Sequence, residues 1–417
     1  MARAHDDDGA RRKQLGAWYT PPSLVTHLTR ATIGRRRGPV SVLDPACGDG
    51  RFLVESRRLL GDRATLTGVD VDPVAVAAAR AAVPGAEIVH ADALALDWAD
   101  RRFDVVLGNP PFLNQMARAT TRGGKSRYGG GAYADVAAEF LALSMSLLVP
   151  HGRLGLVLPQ SVLSSRDVGP IRDRVRAAGA LRHLWWSRTR MFDAHVHTCA
   201  LVVEAAARQG RVTRAVGPSF ERMGEVALGP SWGALLLADH EPTPLPATDG
   251  PVLGDIADLG VDFRDQYYGL VGAVDDDVAG PPFVTSGLID PGVCHWGERP
   301  VRFAKQRFEA PRVAIERLSP RMQAWAAARL VPKVLVANQT RTIEAVIDRE
   351  GAWLPGVPVI TCVSAELDRV HEVLSSPAAT AWVRQRAMGT GLSPDTVRLS
   401  PALLAGIPLP GGDVRRR

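Results

Sequence analysis

No stretch of the 417 residues approaches the roughly 18 consecutive apolar positions that a membrane-spanning helix needs, so no membrane association is expected. The opening "MARAHDDDGARRKQ" has no apolar core and therefore does not read as a secretory signal. Residues 1–15 are expected to be a disordered lead-in. Cysteine is scarce: Cys47, Cys199, Cys294 and Cys362 lie far apart. That spacing excludes a disulfide framework and a zinc site, so no metal is expected and a reducing cytoplasm is the natural compartment. No internal repeat stands out, and aromatics make up only 6%.

What remains is an ordinary globular composition, 46% hydrophobic and 23% charged, in a chain long enough for two domains. The net charge is +6, from 50 Lys+Arg against 44 Asp+Glu, and nearly all the cations are arginine. Such a balance favours polyanions, and arginine suits phosphates and guanine edges. Abundant Ala, Gly and Pro beside it fit high-GC coding equally well.

From residue 40 to about 205 short β-branched runs alternate with helical patterns. "VSVLD" (40–44), "ATLTGVD" (64–70), "AEIVHAD" (86–92) and "FDVVLGN" (103–109) read as buried strands. "RLGLVLP" (153–159), "LRHLWW" (181–186) and "TCALVVE" (198–204) continue the series. Helical segments fall between them, which predicts an α/β fold with a doubly wound parallel sheet. Ligands of such sheets collect beyond the carboxyl ends of the strands, where Asp44, Asp70, Asp92 and Asn109 stand. The glycine-rich, basic "ARATTRGGKSRYGGGAYAD" (117–135) that follows strand four reads as a loop over the site. Prolines in "EPTPLPATDGP" (241–251) mark a linker. Beyond it the pattern is mixed, with short strands such as "KVLVAN" and "TIEAVID".

The chemistry lies at the strand ends. "VLDPACGDGRFL" (42–53) sets a glycine-rich turn between a strand and a helix, with Gly48 and Gly50 free to take φ > 0. It is neither a dinucleotide fingerprint nor a P-loop. Asp44 before the turn disfavours a phosphate and suits an ammonium group. Asp70 can take both hydroxyls of a ribose, and Asp92 can accept from an exocyclic adenine amine. One such aspartate is more often a turn or cap residue, but three in register describe a pocket for adenosine with a cationic amino-acid tail. S-adenosylmethionine fits that description.

The order "YTPP", "DPACGDGRFL", "GVDVDP", "ADAL", "NPPF" resembles the gamma class of S-adenosylmethionine-dependent DNA adenine-N6 methyltransferases, over residues 16–205. It is similar to the group in which a catalytic domain precedes a target-recognition domain. The resemblance implies a Rossmann-like methyltransferase sheet over 16–210, a linker over 211–250, and a mixed α+β DNA-recognition domain over 251–417. It implies catalysis by Asn109, Pro110, Pro111 and Phe112, and cofactor contacts from Tyr19, Thr20, Asp44, Ala46, Gly48, Asp70, Asp92 and Asn109. Phe112 and Phe192 would stack on a flipped base. "NPPF" alone is shared with RNA and protein-glutamine methyltransferases, which remain the alternative.

The tetrapeptide has a physical rationale. The exocyclic amine of adenine is a poor nucleophile because its lone pair is delocalised into the ring. The Asn109 side-chain oxygen and the Pro110 carbonyl would accept its two N–H bonds and favour tetrahedral nitrogen. Paired prolines preset the carbonyl direction. His195 and His197 read as structural or phosphate-facing, and Trp185 and Trp186 as packing residues. Double-stranded DNA is the expected partner, with Arg127, Arg302, Lys305, Arg307 and Arg341 as DNA-binding candidates beside Arg299, Arg312 and Gln339. Family habit adds a separate restriction endonuclease or defence-system subunit. No nuclease pattern is evident in the chain itself.

Overall fold

The computed structural model describes residues 20–112, 126–131, 134–189, 197–237, 250–391, 393 and 395–410. Tyr19, Phe192, His195 and most of the 117–135 loop lie outside the described residues. Contacts divide the chain into two units, Met1–Leu236 and Leu237–Arg417.

The first unit is built on one nine-stranded sheet. Its strands are β1 (Val40–Asp44), β2 (Ala64–Asp70), β3 (Glu87–His90), β4 (Phe103–Gly108) and β5 (Leu148–Pro159). They are followed by β6 (Gly179–Trp186), β7 (Thr198–Ala205), β8 (Val212–Val216) and β9 (Glu221–Val226). The spatial order is β3-β2-β1-β4-β5-β7-β6-β8-β9. Pairs among β1 to β5 are parallel, whereas β7 runs antiparallel between β5 and β6. The sheet is therefore α/β and doubly wound, with β7 reversed between β5 and β6 and β9 reversed beside β8, which the all-parallel expectation omits. Residues 212–226, read from the sequence as part of a linker, are two further strands of this sheet. Val212, Arg214 and Ala215 are buried, so this segment holds its place by packing, not as a spacer.

Among the described residues five helices accompany these strands: α1 (Pro22–Ile33), α2 (Arg51–Leu60), α3 (Pro73–Ala82), α4 (Val136–Ser146) and α5 (Gly169–Ala178). Prolines occupy the first turns of α1, α3 and α5, where a missing N–H costs nothing. Asp72 and Asp135 cap α3 and α4 by accepting from backbone amides of Val74 and Ala137. Helix α4 is buried on nearly every side from Ala137 to Met145, which explains its lack of a polar face. α1 has no counterpart among the helices expected from sequence. Its buried Leu24, Val25, Leu28 and Ile33 recur at helical spacing behind "TPP".

The second unit carries a four-stranded antiparallel sheet in the spatial order Asp258–Val261, Ile360–Val363, Lys333–Val336, Ala345–Asp348. Helices Leu367–Ser375 and Pro377–Ala387 follow it. Two apolar clusters form its core, one around Phe283, Phe303 and Leu354, the other around Leu335, Val346 and Val359. Mixed α+β structure is what the irregular pattern predicts. Among the described residues no helix is long and apolar enough to cross a membrane.

Candidate functional site

The carboxyl ends of β1, β2 and β4 converge because their register is locked from below. Asp104 on β4 accepts from the Ser41 amide at 2.9 Å and the Ser41 hydroxyl at 2.7 Å, and the Ser41 oxygen accepts from the Asp104 amide at 3.0 Å. This cross-strand clasp sets where Asp44 and Asn109 emerge. Above it lies a cavity of about 450 Å³, within the range of small-molecule sites. Thr20, Asp44, Ala46, Gly48, Asp70, Asp92, Asn109 and Pro111 all line it. Eight positions singled out from sequence thus meet at one place.

Each aspartate is held differently. Asp44 is buried at 1% exposure, and its Oδ1 accepts from the Ala46 amide at 3.1 Å. Burial pushes its carboxyl well above the usual carboxylate range, and the neighbouring Asp70 and Asp49 add to the rise. No cation among the described residues pairs with it. Burial thus favours the neutral carboxyl in the unliganded site, and a cationic group placed beside it would favour the ionised form. Asp70 accepts from the Gly48 amide at 2.8 Å through Oδ2 and from the Asp72 amide at 2.9 Å through Oδ1. Asp92, more exposed, accepts from the Leu94 amide at 2.9 Å. The two strand-end acids therefore do make the turn contacts that the bland reading assigned to them. Each carboxylate oxygen still has a further lone pair for a ligand in the cavity.

The glycine turn performs two separate tasks. Gly50 sits at φ 83° against α3, where a Cβ would come within 3.3 Å of the Ala79 backbone. Gly48, at φ 52°, faces open space within 4 Å, as a turn approached by a ligand requires. Burial between Asp44 and Asp70 pushes the Cys47 thiol far up, so it is an inert wall residue. Arg51 bonds the Asp49 carboxylate at 2.8 Å and the Thr20 carbonyl at 3.1 Å, tying the start of the described chain to this turn.

Not every expected residue opens onto the cavity. Pro110 is buried and Phe112 is 7% exposed, and neither lines the cavity. In this conformation the Phe112 ring offers no open face to an incoming base. Arg127 is exposed, yet its guanidinium donates to the Leu94 carbonyl, beside Asp92. Its segment is fastened through Ser126 and the Tyr128 amide to the buried Glu139 of α4. Arg302, Lys305 and Arg341 are exposed in the second unit, as is Arg307, which pairs with Glu309. Arg299 is engaged by Asp290 at 2.5 Å, and Arg312 lies over the Trp296 ring at 4.6 Å. Trp185 and Trp186 are packed away, as expected.

Sequence reasoning missed the apolar walls: Phe52, Val71, Val74, Leu94, Val136 and Phe140. Val71 and Val74 are 51% and 61% exposed. A signal was available, because apolar side chains flanking a strand-end acid at the surface suit a flat aromatic ligand.

Residues 8–211 match the family model described as N-6 DNA Methylase. The chain is 30% identical over 191 residues to the type II methyltransferase M.TthHB8I of Thermus thermophilus, covering 41% of this chain and 40% of that protein. It is 28% identical over 167 residues to the type II methyltransferase M.CvrRI of Paramecium bursaria Chlorella virus XZ-6E, covering 39% and 41% respectively. The matched region thus spans about two fifths of the length of these relatives. In structure the chain resembles the type IIL restriction-modification enzyme MmeI, solved in complex with DNA. That match has a TM-score of 0.59 at 14% identity and covers 96% of this chain and 65% of the other. At that identity the likeness speaks for the fold, which is the Rossmann-like α/β methyltransferase fold.

Proposed function

Since residues 8–211 belong to the N-6 DNA methylase family, we propose that the chain is a site-specific DNA methyltransferase acting on the N6 amine of a flipped-out adenine. The observation that carries this reading is the gathering of Asp44, Asp70, Asp92 and Asn109 around one cavity at the strand ends. S-adenosylmethionine, when bound, would supply the methyl group. The residues present suit it: a buried carboxyl lacking a cation for the amino-acid end, a second carboxylate for the ribose, and a third for the adenine amine. Thr20, Ala46 and Gly48 would line its path, with Tyr19 closing from the N-terminal side.

Asn109 and the Pro110 carbonyl would accept the N–H bonds of the target amine and orient its lone pair. Holding the amine in line is a matter of positioning, which accounts for much of the rate in such transfers. Extracting the base from a duplex costs a few kcal/mol. Phe112 and Phe192 are the stacking groups proposed to offset part of that cost, with Pro111 setting the loop between Asn109 and Phe112. Residues 16–210 would hold the chemistry and 251–417 the target recognition, with Arg127, Arg302, Lys305, Arg307 and Arg341 meeting double-stranded DNA. A separate restriction endonuclease or defence subunit is the proposed companion.

The test is labelled-methyl transfer to duplex DNA, RNA and protein in parallel. Label is expected in duplex DNA as N6-methyladenine, and Asn109→Ala should lower the rate by about 100- to 1,000-fold with cofactor binding nearly unchanged. Transfer to RNA or to protein glutamine in place of DNA would overturn the reading.

A further inference from the structure

In the second unit the segments Val301–Phe303 and Gln306–Phe308 form an antiparallel hairpin. Its side chains divide between the core and the surface, with Gln306 exposed beside Arg307. Val301, Phe303 and Phe308 are buried, while Arg302 and Arg307 are exposed and stand directly opposite each other. Like charges in that position oppose pairing of the two strands. The turn adds a second cost, because Ala304 and Lys305 both adopt positive φ, 49° and 68°. Two-residue hairpins of this kind favour Asn-Gly or Asp-Gly, not Ala-Lys. Here the strained turn holds an exposed lysine at the tip.

Little within the unit neutralises this hairpin. Glu309 reaches Arg307 at 3.0 Å, with both side chains about two-thirds exposed. Arg302 and Lys305 have no carboxylate partner among the described residues. The nearby Asp276 is spent on the Glu309 and Ala310 amides at 2.9 Å. The inner side, by contrast, is firmly seated. Phe303 packs against Phe283 at 5.1 Å and against Tyr267 at 4.9 Å. Tyr267 belongs to the helix Arg264–Gly269, and on either side of it the large apolar residues Phe263 and Tyr268 are 71% and 58% exposed.

We propose that this hairpin is a DNA-contacting ribbon, in which Arg302, Lys305 and Arg307 meet the phosphates bordering the major groove of a duplex. Three observations lead there. Two like charges are held opposite each other, with the exposed Glu309 reaching Arg307 and no carboxylate reaching Arg302 among the described residues, a condition that a polyanion relieves. A third cation is displayed on a strained tip. The ribbon is rigidly founded on an aromatic core, and a two-stranded ribbon is of a size that the major groove admits, roughly 12 Å wide. This assignment rests on reading the chain as a DNA methyltransferase, and it names the surface that would engage the substrate.

The experiment compares the full chain with a triple variant, Arg302→Gln, Lys305→Gln and Arg307→Gln, by fluorescence anisotropy on a short DNA duplex at several salt concentrations. A control loses the same charge elsewhere, through Arg35→Gln, Arg102→Gln and Arg369→Gln. All six positions are exposed, so matching thermal melts are expected. The hairpin variant should bind at least tenfold more weakly, with a log–log salt slope shallower by roughly 2 to 3, while the control stays near wild type. Equal losses in both variants would reduce the effect to net charge and overturn the proposal. So would an unchanged slope, or a loss seen with single-stranded RNA and not with duplex DNA. Methyl transfer by the same wild-type preparation separates the two readings. Transfer with an indifferent hairpin sinks only the ribbon, and hairpin-dependent binding without transfer sinks only the reaction.

Discussion

Asp44 and Gly108 end neighbouring strands so closely that a methyl group on residue 108 would lie 2.8 Å from the Asp44 carboxylate oxygen. The glycine before "NPPF" is thus a spatial requirement of the acid in "DPACGDG", although 64 positions separate them in the chain. Gly108→Ala should force the Asp44 side chain aside. The expected cost is about 1–3 kcal/mol of stability, with cofactor affinity reduced at least tenfold. Thermal denaturation and calorimetric titration with S-adenosylmethionine check both parts. Unaltered affinity would show that Asp44 does not face the cofactor.

The raised Asp44 carboxyl makes a prediction about pH. Protonated, it cannot pair with an ammonium group, so cofactor affinity should rise with pH until the carboxyl is ionised and then level off. Stability of the unliganded protein runs the other way. A carboxyl whose folded value is raised binds more protons folded than unfolded, so its contribution fades as pH climbs from the ordinary carboxylate range through the raised value. Asp44→Asn should weaken the cofactor by roughly a hundredfold, within the 2–5 kcal/mol typical of a lost buried charge pair. It should also flatten the pH profile above the ordinary carboxylate range, where the raised Asp44 carboxyl titrates. A variant profile as steep as the wild type's would assign the titration to another group.

Much of the site was legible because each strand-end acid adjoins a turn that the sequence announces. "VLD" runs into Pro45, "GVD" into Val71-Asp72-Pro73, and "VLGN" into Pro110-Pro111, so strand ends and ligand positions were marked together. The reversed β7 was not legible, because buried strands carry the same apolar run whichever way they point. Strands β8 and β9 were hidden for a related reason. "VTRAV" places Arg214 in the interior, with its guanidinium donating to the carbonyls of Met223 and Leu235. An arginine inside a strand reads as a solvated loop until its carbonyl partners are known. The Asp44–Gly108 contact depends on tertiary register, which no local pattern encodes.

A pair of imidazoles should govern the acid stability of the first unit. His27 on α1 and His183 on β6 share a hydrogen bond between their Nε2 atoms at 3.1 Å, and Phe220 stacks on His27 at 4.2 Å. One ring donates and the other accepts, and burial, which lowers the values of both, favours their neutral forms. Burial, with His27 adding to it, lowers the His183 value to about 4. The unfolded chain takes up a proton near pH 6.5 that the folded chain refuses. The contribution is therefore intact above pH 6.5 and is lost as pH falls toward 4. Between pH 7 and 5 the wild type should lose about 2 kcal/mol more than His183→Phe. Urea unfolding followed by tryptophan fluorescence measures this, since Trp185 lies 5.8 Å from Phe220. Parallel pH profiles would remove the histidine pair from the explanation.

In the second unit the decisive interaction is a buried ion pair. Lys333 and Asp348 are opposed across two sheet strands, 0% and 3% exposed, with Nζ and Oδ2 2.6 Å apart. The ammonium also donates to the Val331 carbonyl at 3.1 Å, and the carboxylate accepts from the amides of Ala352 and Trp353. The pair therefore joins two strands and the segment leading to Trp353. Lys333→Met would strand the carboxylate in the interior, at an expected cost of about 3–5 kcal/mol. Adding Asp348→Asn should recover most of that loss. The amide oxygen can still accept from one of the Ala352 and Trp353 amides, which meet separate carboxylate oxygens, and no charge remains to be desolvated. Urea titration of the wild type and both variants decides the matter. If the double variant is no more stable than Lys333→Met, the loss comes from the packing of the lysine stem and not from the uncompensated charge.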